Sequence, residues 1–160
     1  MAVTERDGGD VQVVEVPARR FAAVRRTAAR SEIPLVLVGA LDAVWPVLRS
    51  RGTRAGHNVA LYRELGGNRV EMTCGVEVEP PFEDAGEVAL HRTPSGAVAH
   101  LRHEGGHETL ASTDGRASDW LRDHGLPAIA AYWEAYDDVD ERGGLLGVDL
   151  FFLLPDGFTA

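Results

Sequence analysis

Glu134 is the side chain in this sequence whose type and spacing point most directly to chemistry. It lies in the run 130–136 (AAYWEAY), where the alternation of a β-strand would place Tyr132, Glu134 and Tyr136 on one face. A carboxylate between aromatic rings is either an ordinary solvated strand residue or the charged floor of an aromatic pocket for a cation. The local pattern leaves both interpretations open.

Composition narrows the class of protein. The chain has 160 residues, 44% of them hydrophobic, which is enough for one globular domain with a sizeable core. It carries 25 acidic and 16 basic side chains, and all of the basic ones are arginine. A net charge of -9 argues against a broad nucleic-acid surface. The densest arginine stretch, 19–30, spreads over a predicted strand and loop, so we interpret it as a solvated face and expect no nucleic-acid partner.

The single cysteine and the N-terminal sequence bear on location. Cys74 cannot form an intramolecular disulfide, fits a reducing cytoplasm, and lies in an apolar strand where a packing role is expected. The N-terminal residues lack a charged leader followed by an apolar segment, and we expect no apolar run to approach the roughly 18 residues of a membrane helix. We therefore expect a cytoplasmic protein with no membrane partner.

The chain reads as two successive repeats behind a flexible lead-in at 1–10. The domain is expected to span 11–160, with repeat one at 11–80 and repeat two at 86–155. In repeat one the pattern predicts a helix at 35–51 and strands at 11–16, 21–27, 58–65 and 69–79. In repeat two it predicts a helix at 117–124 and strands at 88–93, 97–103, 129–136 and 145–154. This pattern predicts an α+β fold of two pseudo-twofold-related strand-helix-strand-strand repeats, with antiparallel sheets and a central ligand groove.

Residue correspondences support the duplication. Pro17 corresponds to Pro94, Val24 to Leu101, and Tyr62-Arg63-Glu64 to Tyr132-Trp133-Glu134, which makes Glu64 the twin of Glu134. If the helices cover one face of the sheet and the opposite face lines the groove, Ala60, Tyr62 and Glu64 form one wall and Tyr132, Glu134 and Tyr136 the other. The residues expected beneath the helices are then Val59, Leu61, Ile129, Ala131 and Trp133.

The segment 93–110, followed by Trp120-Leu121, Gly125 and Glu134-Ala135-Tyr136, resembles the GyrI-like small-molecule (effector) binding domain family. That family includes the ligand-binding halves of multidrug-sensing regulators of the MerR and AraC types. The resemblance extends over nearly the whole chain, from the opening strand pair at 11–26 to Pro155. It implies a duplicated fold with a central cleft, in which a buried carboxylate matching Glu134 meets lipophilic aromatic cations.

Polyspecific binding of hydrophobic, cationic or aromatic small molecules is therefore the expected function, and no cofactor is expected. Phe82 could fold over the cleft or cover the junction of the repeats, and one residue of the Phe151-Phe152 pair should face the groove. The candidate ligand-binding residues are Glu134, Tyr136, Tyr132, Tyr62, His107, Phe82, Trp120 and Phe152.

Two departures from the family pattern leave other functions open. A histidine, His107, stands where family members commonly carry a tyrosine, and we expect the module to act without a DNA-binding domain. Some free-standing members are similar to hydrolases that open cyclopropane-bearing genotoxins, in which case Glu134 would be catalytic, with Tyr132, Tyr136 or His107 as its proton partner. A third alternative is a module that inhibits a protein partner.

The histidines His100, His103 and His107 form an HxxHxxxH string. On a strand the first two would face opposite sides, and the third follows the Gly105-Gly106 turn. A zinc site needs its ligands to converge on one point, so we expect no metal site.

Overall fold

The computed structural model describes residues 11–104, 110–126, 129–137 and 147–158, and within these ranges the predicted order of elements is confirmed. Both helices begin earlier than predicted. The second begins at Leu110 rather than near residue 117. The elements are β1 Gln12–Val16, β2 Arg20–Ala29, α1 Ile33–Arg51, β3 Ala55–Gly66, β4 Arg69–Val78, β5 Ala89–Arg92, β6 Gly96–Glu104, α2 Leu110–Asp123, β7 Tyr132–Tyr136 and β8 Gly147–Leu153.

Local signals in the sequence fix both ends of α1. Pro34 stands in the first turn, where its missing N–H has no intrahelical partner to lose. Gly52 ends the helix in the left-handed conformation, with φ 62°, which is a backbone geometry that glycine adopts without a Cβ clash. The helix continues through Pro46 as one element, so it does not divide there into two short helices.

The two repeats contribute to one eight-stranded sheet in the order β1-β6-β8-β7-β3-β4-β2-β5. Exchanging the repeats reverses this order onto itself, so a pseudo-twofold axis passes between β7 and β3. All the paired strands are antiparallel. The first strand of each repeat pairs with the other repeat, β1 with β6 and β5 with β2. The predicted α+β fold of two related repeats is confirmed, and this strand exchange joins the repeats into a continuous sheet.

Short links force the sheet to curl. β1 and β2 are separated by six strand spacings in the sheet, about 29 Å if it were flat, but the link between Val16 and Arg20 can span only about 14 Å. Val14 and Val16 of β1 accordingly pack with Phe21 and Ala23 of β2 in one cluster. Gly75 allows close approach of β4 to β2, since a Cβ there would lie 1.8 Å from a backbone oxygen of β2.

The curl gives the sheet an inner apolar face and an outer face that carries the helices. α1 packs on β2 and β4, and α2 packs on β6, so the central strands β3 and β7 lie between the two helices. From α1, Ala40, Val44 and Leu48 are buried in the outer cluster, and α2 adds Ala117 and Leu121.

This arrangement corrects the predicted assignment of faces. Val59, Leu61, Ala131 and Trp133 lie in the inner cluster, on the face opposite the helices, and only Ile129 packs on the helix-bearing side as expected. The alternation along each strand was predicted correctly. The error arose because both faces are apolar, and strand periodicity does not say which of them the helices cover.

The first helix also corrects an expectation about apolar length. The segment Arg30–Arg51 is long and apolar enough, by length and composition, to cross a membrane. Its inner residues pack on β2 and β4 like those of a core helix, while Leu35 and Val38 on its first turns are exposed. Length and composition alone do not separate these two kinds of helix.

Candidate ligand-binding site

Three cross-strand rows form the floor between the helices. The first row joins Tyr62, Tyr132 and Phe152 of β3, β7 and β8. The second joins Ala60, Glu134 and Leu150, and the third joins Asn58, Tyr136 and Val148. Side chains opposite one another on antiparallel strands share a face, so Glu134 lies with an aromatic row on one side and Tyr136 on the other.

The first row is a continuous aromatic stack. The ring centroids of Tyr62 and Tyr132 are 4.9 Å apart with an interplanar angle of 15°, and those of Tyr132 and Phe152 are 5.7 Å apart at 18°. Offset stacking of this kind adds stability beyond the burial of area. Phe151 points the other way and stacks on Trp133 and His100. The structure therefore selects Phe152 as the member of the pair on the helix-bearing face.

Glu134 is held by tyrosine hydroxyls in a nearly closed environment. Glu134 is 9% exposed, and the Tyr136 hydroxyl donates a hydrogen bond to its Oε2 at 3.2 Å. Tyr62, 2% exposed, is a second buried hydroxyl at this centre, and it helps to hold down the pKa of Glu134. A buried carboxylate needs such donors, because burial without them costs several kcal/mol, on the order of 2–7 even for a neutral polar group.

Burial dominates the acid–base behaviour of this centre. Burial and, to a smaller extent, the negative charge of Asp114 together raise the pKa of Glu134 to about 7, and the hydroxyls of Tyr136 and Tyr62 oppose the rise. The pKa values of Tyr62 and Tyr136 are also raised well above the ordinary tyrosine value by burial and by the nearby carboxylate. Near neutral pH the Glu134 carboxyl is therefore partly protonated, and a small change in its surroundings can remove its proton.

Asp114 is a site residue that the sequence did not suggest. It lies on α2 three residues before the buried Ala117 and raises the pKa of Glu134 by charge repulsion. Burial of its carboxyl raises the pKa of Asp114 itself, and the nearby His103 opposes this rise. The helical periodicity from Ala117 and Leu121 back to Asp114 is the signal that could have indicated it.

Tyr132 connects the site to the start of α1. It is only half-buried, and Arg30 lies at its hydroxyl, which opposes the rise in the Tyr132 pKa caused by burial. The same guanidinium forms an ion pair with Glu64. Arg30 therefore bridges the exposed end of β3 and the aromatic row, a role that the sequence pattern did not indicate.

Glu64 is not the counterpart of Glu134. Val24 pairs with Cys74 and Cys74 with Ala60, whereas Leu101 pairs with Leu150 and Leu150 with Glu134. Val24 and Leu101 are equivalent positions of the two repeats. The residues reached from them by the same two strand pairings are Ala60 and Glu134, which are therefore counterparts. The prediction of Glu64 as the twin was wrong. The matching Tyr-x-Glu sequences favoured an alignment of the repeats that is four residues away from the structural one, in which Ala60 corresponds to Glu134.

The other predicted site residues have different surroundings. Trp120 of α2 stacks on His124 at 3.9 Å and packs against Phe158. Phe82 packs against the outer cluster, with the Arg51 guanidinium 5.1 Å above its ring, which places it at the C-terminal end of α1. No described contact joins either ring to Glu134. His107 lies outside the described residues.

The histidine string behaves as strand alternation predicts. His103 is buried on the helix-bearing side, and its Nδ1 lies 2.8 Å from the Thr113 hydroxyl. His100 faces the other side, where its Nε2 lies 2.8 Å from Asp149. Among the described residues no group of three or more His, Cys, Asp or Glu side chains is placed to hold a metal ion. Cys74 is buried beside the site, and burial raises the pKa of its thiol to about 12, which suits packing rather than reactivity.

The family profile of the GyrI-like small molecule binding domain matches residues 9–143, and the chain belongs to this family. The comparison with curated protein sequences found no match.

Solved structures share the fold at low sequence identity. The EcmrR C-terminal domain has a TM-score of 0.67 and 17% identity, with 89% of this chain and 95% of that chain covered. SAV2435 bound to tetraphenylphosphonium has a TM-score of 0.61 and 9% identity, with 92% of this chain and 94% of that chain covered. A hydrolase from Listeria innocua has a TM-score of 0.53 and 13% identity, covering 92% of each chain. The family assignment makes this chain a GyrI-like small-molecule binding domain, and the solved structures share its fold.

Proposed function

We propose that the chain binds lipophilic cations in the groove between α1 and α2, with the ionised Glu134 as counter-charge and the row Tyr62–Tyr132–Phe152 as the aromatic surface. The observation that carries the proposal is a carboxylate, 9% exposed, whose described polar partners are hydroxyls and whose charge is not neutralised by a described basic group. A delocalised cation would supply the missing charge.

The physical argument rests on the difference between a hydrated and a lipophilic cation. A buried carboxylate attracts a charge strongly because the surrounding dielectric is low, but a small hydrated ion must give up its water to benefit. An aromatic cation loses little hydration and gains cation–π contact with the tyrosine rings. Neither interaction fixes a ligand shape, so the site would accept several such cations.

Asp114 fits the same proposal. A second negative charge near Glu134 raises the energy of the empty ionised site, and a bound cation would relieve both charges at once. This arrangement favours cations over neutral aromatics of equal size. The known ligand of SAV2435, tetraphenylphosphonium, is a cation of this class and is the natural probe.

Glu134→Gln tests the proposal directly. It removes the charge while keeping the size of the side chain, and we expect the affinity for tetraphenylphosphonium to fall tenfold or more by isothermal titration calorimetry. Glu15→Gln is the matched control, because Glu15 is an exposed glutamate of β1 with no described ion pair, and the affinity of this variant should stay within about twofold of the wild type. Unchanged affinity in Glu134→Gln would disprove the role of the charge.

A thermal-shift comparison with a neutral analogue adds a second criterion. At 100 times its dissociation constant a ligand stabilises the fold by about 2.7 kcal/mol, which is easily detected. Triphenylphosphine oxide, which presents similar rings without a net charge, should give a much smaller shift. Equal shifts for the two compounds would mean that the groove selects aromatic surface and not charge.

The acid–base state of Glu134 favours hydrolysis as a second candidate function. A carboxyl with a pKa of about 7, in contact with a tyrosine hydroxyl, can accept and return a proton near neutral pH. A strained cyclopropane-bearing electrophile would then be consumed, and mass spectrometry would detect its hydrated product. In that case Glu134→Gln should abolish turnover while binding of the electrophile survives, whereas a binding protein should return the compound unchanged.

A further inference from the structure

A cavity lies at the end of the sheet, on residues that the proposed function does not use. It has a volume of about 600 Å³, within the range of small-molecule sites. Its wall comes from the β1–β2 link, the starts of β2 and β3, and the ends of β4 and β5. The lining residues are Ala18, Arg19, Arg20, Arg54, Ala55, Gly56, Glu77, Val78, Glu79, Pro80 and Arg92.

Four of these residues are arginines, in a chain whose net charge is -9. Arg19 has a partner, because its guanidinium lies 3.7 Å from Glu77, which also accepts a hydrogen bond from the backbone N–H of His57. Within the part of the chain that the structure describes, the side chains of Arg20, Arg54 and Arg92 make neither a hydrogen bond nor an ion pair. An acidic protein thus leaves three guanidinium groups without counter-charges around one cavity.

The strand register makes this arrangement more unusual. Arg20 and Arg92 are directly opposite each other on β2 and β5. Like charges in directly opposed positions of an antiparallel pair destabilise the sheet. Glu79, the other acidic residue of the cavity wall besides Glu77, forms no described ion pair with Arg20 or Arg92. No described acid pairs with either guanidinium group, and an anion between the two would offset their repulsion.

We propose that this cavity is a binding site for a small phosphorylated anion, held by Arg20, Arg54 and Arg92. Guanidinium groups bind phosphoryl oxygens through paired, charge-assisted hydrogen bonds, and three of them match a ligand with more than one negative charge. The volume accommodates a molecule of nucleotide size. Glu77 is already paired with Arg19, and Glu79 would disfavour ligands whose charge extends to its side of the cavity.

Binding of pyrophosphate tests the site with a defined probe. We expect saturable binding to the wild-type chain in isothermal titration calorimetry, tighter than that of inorganic phosphate because pyrophosphate carries more charge. The double variant Arg20→Gln/Arg92→Gln should weaken pyrophosphate binding tenfold or more. Arg63→Gln, which removes an exposed arginine of β3 outside the cavity, should leave it within twofold. No saturable binding at millimolar pyrophosphate, or equal binding by the double variant, would overturn the proposal.

Thermal stability gives a second readout that needs no affinity measurement. In low-salt buffer without phosphate, Arg92→Gln should raise the melting temperature, because it removes the repulsion with Arg20. Pyrophosphate should raise the melting temperature of the wild type and have little effect on Arg92→Gln. A variant that melts lower than the wild type and still gains the full pyrophosphate shift would contradict the proposal. Glu134→Gln should retain the pyrophosphate shift, so this site and the groove can fail independently.

Discussion

The central strands β3 and β7 carry the same local motif, Tyr-x-Glu, in opposite environments. In β7, Glu134 is 9% exposed, and burial raises its pKa to about 7. In β3, Glu64 is exposed at the end of the strand and pairs with Arg30. The residue of β3 that opposes Glu134 is Ala60. The comparison shows that position relative to the pseudo-twofold axis, and not the motif itself, makes one glutamate a buried charge.

The largest expected effect is on the pH dependence of cation binding. A cation favours ionised Glu134, and with a pKa of about 7 the ionised fraction falls about tenfold for each pH unit below that value. Affinity for tetraphenylphosphonium should drop roughly three-hundredfold between pH 8 and pH 4.5, measured by calorimetry at constant ionic strength. Glu134→Gln should show little pH dependence over this range, whereas the control Glu15→Gln should follow the wild type. A flat wild-type profile would contradict the assignment of Glu134.

The second effect concerns the stability of the fold without ligand. The folded pKa of Glu134, about 7, lies above its ordinary value of 4.5, so its contribution to stability is fully present below pH 4.5 and is lost as pH rises through 7. Glu134→Gln cannot ionise, and at pH 8 it should be more stable than the wild type by about 3 kcal/mol. At pH 4 the two should differ little. Urea denaturation at pH 4 and pH 8 measures the free energy of unfolding of both proteins. If the variant and the wild type differ by the same amount at the two pH values, ionisation of Glu134 is not the cause.

A smaller effect is expected from Asp114→Asn. Removal of the nearby negative charge should lower the pKa of Glu134, and the midpoint of the binding pH profile should move to lower pH. The midpoint can be read from calorimetry or from the side-chain carboxyl resonance of Glu134. Asp119→Asn, which changes an exposed aspartate of the same helix, is the control and should leave the midpoint unmoved.

The smallest effect is expected from Tyr136→Phe. Loss of the hydroxyl removes the hydrogen bond to the carboxylate, so the pKa of Glu134 should rise and the midpoint should move to higher pH, opposite to Asp114→Asn. A net hydrogen bond to a charged group is worth about 1.5–3 kcal/mol, and Tyr62 remains as a second donor that limits the change. A shift in the same direction as Asp114→Asn would show that the hydroxyl does not hold the carboxylate.

Much of the fold followed from local patterns. Strand alternation grouped Tyr132, Glu134 and Tyr136 correctly, and Gly52 marked the end of α1. The assignment of faces did not follow, because the curl buries both sides of the sheet and removes the polar face that usually orients a strand. The cytoplasmic location remains a prediction.

The sequence by itself determined the repeat, the α+β class and the presence of an acid among aromatic residues, since these depend on periodicity and residue type. Only the tertiary structure decided that Ala60 opposes Glu134, that Asp114 acts on it from α2, and that Arg20 opposes Arg92 across two strands. Each of these relations joins residues far apart in the chain. Their free energies depend on register, burial and distance, which exist only once the sheet has formed.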